Sequence, residues 1–439
     1  MVHPPAYLLH LDIPASRSTR APPPSMARSR KSRDKTQTKT PPPVKPEAAV
    51  AGISVLTVDI LRDIIGRLSL ADLLRAALAC HYWRRVAARC LPRAPPLLGY
   101  FFHPVKPLPP PPIRETGRTR YDAVFAPLDV SSPRLSLDFA PDASRFDLHD
   151  CHQGLLLLEP SVSIPKVIHP RLLVLDPATR RRALLPPPPR DTVPNDHRWR
   201  KSRYYVGSAL LSRAHPGNLC FESVCFAIDG GHPRAWVASF DDDQCRWRAL
   251  PRAKEIVVDF DPYWFERRCV HAAGKMYWHI CYSNRVLVLD PATLQFSYLL
   301  APAGLPGNFC KFRIGETPDG RLCVVTVEDQ VMRLWVRGET RCSDDGWVLE
   351  REMNLRKVYD TVPGLPRDMV SRVQSIWVTD IDAGQKERLF IQILGCGHYF
   401  FDLKTRKLER LATNDGKEYG HPICAYFLAW PPKFLAAED

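Results

Sequence analysis

The sequence predicts an α+β chain, with a small three-helix module near the N-terminus and a large all-β domain of about six propeller-like blades behind it. Apolar residues recur with helical spacing between 54 and 91, whereas short apolar runs separated by Gly, Pro, Asp and Asn fill 121–432. The predicted segments are a disordered basic, proline-rich tail at 1–53, the helical module at 54–91, a proline-rich linker at 92–120, the β-domain at 121–432 and a short tail at 433–439.

Three short helices are predicted in the N-terminal module. Thr57 stands before the first helix as an N-cap, and Ser69 caps the second, which carries Leu73. A third helix carries Trp83. A core of this size gives an isolated module only marginal stability, so the module is expected to pack against a partner or a neighbouring domain. The apolar stripe of the first helix consists of Ile60, Leu61, Ile64, Ile65 and Leu68.

A strand-and-turn unit recurs in the β-domain. Leu172–Asp176 followed by Pro-Ala-Thr returns as Val286–Asp290 followed by the same residues, and Tyr399–Asp402 is a weaker copy. Each Asp is expected to cap backbone N–H groups in a tight turn. Successive aspartates are 114 and 112 residues apart, which favours radial blades over the alternative, a two-sheet sandwich. Residues 121–140 and 422–430 are expected to supply one closing blade from both chain ends.

Composition argues against several classes of function. The net charge is +14, of which +6 lies in residues 1–50 and +4 in 54–93, so nucleic acid is disfavoured as a partner of the β-domain. Thirteen scattered cysteines without a C-x-x-C pair indicate reduced thiols and a location in the cytoplasm and/or the nucleus. The sequence contains no run of 18 apolar residues, so no membrane partner is predicted. The basic cluster at 28–35 fits either a nuclear-import signal or a solvated tail.

No catalytic pattern is found in the sequence. Gly-x-Ser-x-Gly, P-loop, Gly-x-Gly-x-x-Gly and His-Glu-x-x-His motifs are absent, so no enzyme and no cofactor are predicted. Acidic clusters at 241–243 and 344–345 fit turns better than the paired carboxylates of a glycosidase.

Two Cys/His pairs come nearest to a metal site: Cys269 with His271, and His279 with Cys281. A hairpin centred on Lys275 would bring the four together with ligands that suit zinc. A two-residue turn at 273–274 would instead place Cys269 opposite a tryptophan and separate the pairs. The second register suits the turn residues better, so no metal is predicted.

The loop at 186–205 is the leading candidate for target recognition. It begins with four prolines and continues with basic and aromatic residues, which are enriched at binding hot spots. The alternative is a variable insertion without a binding role. The candidate target-binding residues are Arg198, Trp199, Arg200, Arg203 and Tyr204.

The segment from Leu56 to Val86 resembles an F-box. That motif typically contains two Leu-Pro steps, an acidic position, Asp-Leu-Leu and a final Val-Cys-x-x-Trp-Arg. Here Thr57 and Ser69 replace the two prolines and Ala79 replaces the valine, while Asp-Leu-Leu and Cys-x-x-Trp-Arg are present. Residues 97–104 are similar to the linker of grass-type plant F-box proteins. The β-domain resembles the F-box-associated domain of plant proteins.

The resemblance implies a substrate-recognition subunit of an SCF-type cullin-RING ubiquitin ligase. The helices would dock on a Skp-type adaptor, which links to cullin and RING subunits, and the β-domain would hold an unknown target protein. The alternative is an adaptor-independent propeller scaffold or a nucleic-acid-associated protein; a sugar-processing propeller enzyme lacks its catalytic pattern. The resemblance implies an adaptor surface of Leu56, Thr57, Ile60, Leu61, Ile64, Ile65, Leu68, Leu73 and Trp83.

Overall fold

A computed structural model describes a helical module followed by six β-sheets. None of the helices in the described part of the chain has the length and apolar character needed to cross a bilayer. The predicted tails and the basic cluster at 28–35 lie outside the described residues. The described ranges are 57–90, 94–105, 122–128, 133–161, 170–189, 203–215, 217–303, 312–338, 346–365, 376–385, 387–393, 395–413 and 416–431.

Three helices form the N-terminal module: α1 (Val58–Gly66), α2 (Leu70–Ala79) and α3 (His81–Cys90). Both predicted N-caps are confirmed. The Thr57 hydroxyl accepts a hydrogen bond from the backbone N–H of Ile60 at 3.4 Å, and the Ser69 hydroxyl accepts one from that of Asp72 at 3.2 Å. The buried core of the module consists of Leu61, Ile65, Leu73, Ala77, Val86 and Ala87.

Neighbouring strands within each sheet are antiparallel. In chain order the first are β1 (Leu97–Pro104), β2 (Val124–Pro127), β3 (Phe146–His152), β4 (Leu155–Pro160), β5 (Leu172–Asp176), β6 (Arg181–Leu185), β7 (Arg203–His215), β8 (Cys220–Asp229), β9 (His232–Asp241), β10 (Gln244–Ala249), β11 (Phe265–Ala272) and β12 (Lys275–Ile280). The others are β13 (Arg285–Asp290), β14 (Gln295–Leu300), β15 (Phe312–Glu316), β16 (Leu322–Glu328), β17 (Val331–Arg337), β18 (Trp347–Asn354), β19 (Ile376–Ile381), β20 (Arg388–Ile393), β21 (Gly397–Asp402), β22 (Leu408–Arg410) and β23 (Tyr419–Phe427).

These strands build a six-bladed propeller. Strands β3 to β22 form five sheets of four consecutive strands each, and the sixth sheet has the order β2-β1-β23. Each innermost strand contacts that of the next sheet, β3 with β7, β7 with β11, β11 with β15 and β15 with β19, while β23 contacts β3, so the sheets surround a central channel. A short helix, α4 (Arg356–Asp360), and two 3-10 helices, Pro141–Arg145 and Pro262–Trp264, lie in connections between blades. The predicted all-β propeller of about six blades is confirmed.

The closing blade joins the two ends of the β-domain. Strand β1 pairs with β2 on one side and with β23 on the other, with Phe101 opposite Cys424. Closure from both chain ends is confirmed, but the predicted linker at 92–120 is wrong over Leu97–Pro104. Phe101 and Phe102 in that strand are fully buried, so this stretch belongs to the propeller core despite its proline-rich surroundings.

The recurring aspartates cap the turns as predicted. The Asp176 carboxylate accepts hydrogen bonds from the N–H groups two and three residues on, both at 3.1 Å. Asp290 does the same at 2.9 and 3.3 Å, and Asp402 at 3.0 and 2.7 Å. These side chains replace part of the backbone hydrogen bonding that the tight turns lack.

The hairpin between β11 and β12 settles the register of the two Cys/His pairs. Ala272 is paired with Lys275, so the turn is Ala273–Gly274, and Gly274 has a positive φ of 71°. Cys269 is therefore opposite Trp278, as the preferred register predicts. In the described residues no group of three or more His, Cys, Asp or Glu side chains is placed to hold a metal ion.

Candidate functional site

Helix α1 presents apolar side chains in two directions. Leu61 and Ile65 are fully buried in the module core, whereas Ile60 and Ile64, each one position earlier, are 50% and 38% exposed. Residues four apart lie on the same helix face, so Ile60 and Ile64 form an adjacent apolar pair that faces away from the core. An exposed apolar pair on so small a module is the kind of surface that a partner covers.

The other predicted adaptor residues fall into three groups. Leu61, Ile65 and Leu73 are buried in the module core, so they support the exposed face from beneath, and their contact with the adaptor stays a prediction. Leu68 and Trp83 are half-buried against that core. Thr57 is the exposed N-cap and Leu56 lies outside the described residues.

A second exposed apolar pair lies at the junction of α2 and α3. Leu78 is 59% exposed near the end of α2, and Tyr82 is exposed at the start of α3. The predicted set of adaptor residues does not include them. The spacing of Leu78 places it in the apolar stripe of its helix. Spacing alone cannot show that this end of the stripe is exposed and not buried in the core.

The propeller carries a cluster of aromatic rings, which we call the aromatic face: the exposed Tyr263, Trp264 and Tyr282 and the half-buried Tyr204 and Phe260. The Trp264 ring lies 6.0 Å from those of Phe260 and Tyr282, and Tyr204 meets Tyr263 edge-on at 4.6 Å between centroids. Tyr263 and Tyr282 are 59% and 61% exposed. Arg285 lies over the Phe260 ring at 5.9 Å, which adds a cation–π contact.

Chain topology brings these rings to one end of the blades. The 3-10 helix Pro262–Trp264 immediately precedes β11, and Tyr282 follows β12. Phe265 and Ile280, at the adjoining ends of those two strands, are paired, so both segments lie at the same end of the sheet. Aromatic residues with an accompanying arginine are typical of binding hot spots.

The predicted target loop is only partly described. Tyr204 belongs to the aromatic face, and burial raises its pKa. Arg203 begins strand β7, while Arg198, Trp199 and Arg200 lie outside the described residues. Sequence reasoning missed Tyr263 and Trp264, although adjacent aromatic residues after Asp-Pro in a turn could have drawn attention to that segment.

Comparison with known proteins agrees with this architecture. An F-box-like family model matches residues 58–91, the three-helix module. The chain belongs to the family described as F-box protein AT5G49610-like, beta-propeller, whose model matches residues 147–434. No curated protein matches the chain.

The solved structures that match the chain share little sequence with it. The Myceliophteria thermophila Cps50 (Swd1) β-propeller domain is 11% identical with a TM-score of 0.34, and the match covers 62% of this chain and 75% of that one. The PQQ-bound aldose sugar dehydrogenase of Streptomyces coelicolor is 12% identical with a TM-score of 0.31, over 60% of this chain and 79% of that one.

Proposed function

We propose that this protein is the substrate-recognition subunit of an SCF-type cullin-RING ubiquitin ligase. The observation that carries the proposal is the exposed pair Ile60 and Ile64 on a helical segment that matches the F-box-like family model. An apolar helix face that enters a partner's groove obtains most of its affinity from a few buried side chains. The partner that this face suits is a Skp-type adaptor.

The adaptor would connect the chain to cullin and RING subunits, and the RING subunit would bring the charged ubiquitin-conjugating enzyme. The receptor itself would form and break no bonds. Its contribution would be proximity, because a held target presents its lysines near the ubiquitin that is transferred. A plant source, and the grass-type subgroup that the sequence resembles, belong to the same proposal, as does a location in the cytoplasm and/or the nucleus.

Target binding is proposed for the aromatic face together with the loop at 186–205. Tyr204 supports this pairing, because it ends that loop in sequence and contacts Tyr263 of the aromatic face. Arg198, Trp199, Arg200 and Arg203 are proposed to contribute from the rest of the loop. An exposed aromatic cluster on a rigid scaffold is a surface from which a partner gains affinity when it excludes water.

Adaptor pull-down tests the proposal. The full chain is compared with an Ile60→Asp, Ile64→Asp double variant, using the Skp-type adaptor of the same source organism. The matched control is Val348→Asp with Leu349→Asp, because these residues are similarly exposed apolar positions on strand β18. We expect the wild-type chain and the control to retain the adaptor and the α1 variant to lose it. Equal retention by all three would refute the proposed adaptor surface.

A second candidate function is an adaptor-independent propeller scaffold. Thr57 and Ser69 favour it, because both stand where F-boxes usually have proline. That candidate, like a nucleic-acid-associated role, predicts that the wild-type chain fails to retain an adaptor. The pull-down therefore decides between the two candidates.

A further inference from the structure

A cavity of about 520 Å³ lies at the central channel of the propeller. Strands β3, β11, β15, β19 and β23 and the β11–β12 turn supply most of its lining. The volume falls within the range of small-molecule sites in proteins. None of the residues in the proposed adaptor surface or the aromatic face lines it.

One buried cation of the cavity already has its counterion. Arg268 of β11 forms an ion pair with Asp380 of β19, and its Nη2 donates a hydrogen bond to the carbonyl oxygen of Ile423 in β23 at 3.3 Å. Arg268 therefore joins three of the strands around the cavity. The backbone N–H of Ile381 donates to the remaining carboxylate oxygen of Asp380 at 3.0 Å.

A second buried carboxylate, that of Asp150, is also fully engaged. It accepts hydrogen bonds from the N–H groups of Leu210 and Cys151, each at 2.8 Å, and lies 2.9 Å from Nε2 of His271. Burial alone would raise the pKa of Asp150, but the charge and hydrogen bond of His271 and the other contacts lower it to about 2. Asp150 orients His271 and has no free oxygen for a ligand.

Two imidazole rings are left with unused ring nitrogens. His152 stacks on His271 with centroids 4.2 Å apart and planes 5° apart, and both residues line the cavity. Among the described residues, neither nitrogen of His152 nor Nδ1 of His271 has a hydrogen-bond partner. Burial lowers the pKa of His152 to about 3, so at neutral pH this ring is uncharged and has one donor and one acceptor.

The remaining lining disfavours charged ligands of either sign. Arg268 already pairs with Asp380, Lys275 with Asp290 and His271 with Asp150, so an added anion would compete with a carboxylate at each of these groups. A cation would meet Asp150 and Asp380, whose carboxylate oxygens already have partners, in a place that keeps His152 neutral.

Apolar side chains complete the cavity wall. They come from several blades and supply a surface that the body of a ligand can bury. The apolar residues include Pro95, Leu211, Met276, Ile381 and Phe427.

We propose that this cavity binds a small uncharged molecule that presents a hydrogen-bond donor and acceptor side by side, such as a carboxamide or a lactam, on an apolar body. The free nitrogens of His152 and His271 pair with the polar group, and the apolar wall covers the body. The site goes beyond the proposed ubiquitin-ligase function and does not depend on it.

Three near-isosteric probes test the ligand class on the full chain: benzamide, benzoate and benzamidine. Binding is measured at pH 7.5 by saturation-transfer NMR, with competition titrations for affinity. We expect benzamide to bind about tenfold or more tightly than either charged probe, since desolvating a charge without a counterion is unfavourable. Comparable or tighter binding of benzoate or benzamidine would overturn the proposal, and so would the absence of saturation transfer from the protein to benzamide.

Three variants locate the binding. His152→Phe should weaken benzamide binding about tenfold, because phenylalanine still places a ring against His271 but has no ring nitrogens. The control Tyr282→Phe, on the aromatic face, should leave benzamide binding unchanged. Lys275→Gln, at an exposed position, keeps the proposal testable if His152→Phe lowers the melting temperature. It should leave benzamide binding within about twofold, as expected for an uncharged ligand. Unchanged binding in a folded His152→Phe variant, or a loss in Lys275→Gln, would overturn the proposal.

Discussion

The two apolar directions of helix α1 allow stability and adaptor binding to be perturbed separately. Leu61 is fully buried in the module core, whereas Ile60 and Ile64 are 50% and 38% exposed. Leu61→Ala should unfold or loosen the module. Ile60→Ala with Ile64→Ala should leave it folded and weaken the complex with the adaptor. Both changes replace a large aliphatic side chain with the same smaller one.

The expected sizes follow from burial. Removing a buried Leu side chain lowers the free energy of unfolding by about 2–5 kcal/mol, a large loss for a module with so small a core. Fully burying an Ile side chain contributes about 1.5–3 kcal/mol. The exposed parts of Ile60 and Ile64 could together contribute about 1.3–2.6 kcal/mol to adaptor binding. The double variant should therefore raise the adaptor Kd roughly ten- to seventyfold.

Isothermal titration calorimetry with purified adaptor measures the Kd, and circular dichroism of residues 54–93 bound to the adaptor reports whether the helices are formed. The double variant should give a weaker complex with the same helix content. Leu61→Ala should lose helix content and affinity together. An unchanged Kd for the double variant would refute the assignment of this face, even if Leu61→Ala abolished binding, because loss of the core alone explains the latter.

Three further predictions concern other parts of the molecule. Thr57→Pro should keep or strengthen adaptor binding. The φ of Thr57 is already −64°, which suits proline, and the fixed proline ring offsets the loss of the hydroxyl cap. Loss of binding in calorimetry would show that the F-box motif is misaligned. Tyr263→Ala with Tyr282→Ala should reduce the set of co-purified targets while the melting temperature and adaptor binding stay nearly constant, and an unchanged target set would remove the aromatic face from the proposal. His152 has a folded-state pKa of about 3 against 6.5 in the unfolded chain, so its contribution to stability is present above pH 6.5 and is lost as pH falls. From pH 7.5 to 5 the loss should be about 2 kcal/mol, and urea titrations of His152→Phe should lack that part of the wild-type slope; identical slopes would contradict the buried neutral ring.

The propeller could be predicted from the sequence because its signals are local. Asp176, Asp290 and Asp402 each end a strand and cap the following turn, and this turn chemistry depends on a few consecutive residues. The register of the β11–β12 hairpin was likewise predictable from a two-residue turn at Gly274. Strand β1 was missed because its apolar run lies between prolines, and only pairing with the distant strand β23 gives it a place in the core.

The candidate sites were less predictable, since they depend on what the fold buries. Ile60, Leu61, Ile64 and Ile65 are chemically alike, so periodicity cannot tell which pair enters the core and which remains exposed. The cavity depends on contacts such as that of Asp150 with His271, 121 residues apart in sequence, which form only when the blades close into a ring.

The central claim is that this chain brings a target to a cullin-RING ligase through its F-box. The most direct measurement is quantitative mass spectrometry of proteins that co-purify with the tagged full chain from cells of the source organism treated with a proteasome inhibitor. The account predicts that Skp-type adaptor and cullin are enriched together with the wild-type chain and are lost with the Ile60→Asp, Ile64→Asp variant. Absence of both subunits from the wild-type purification, or their equal recovery with the variant, would contradict it.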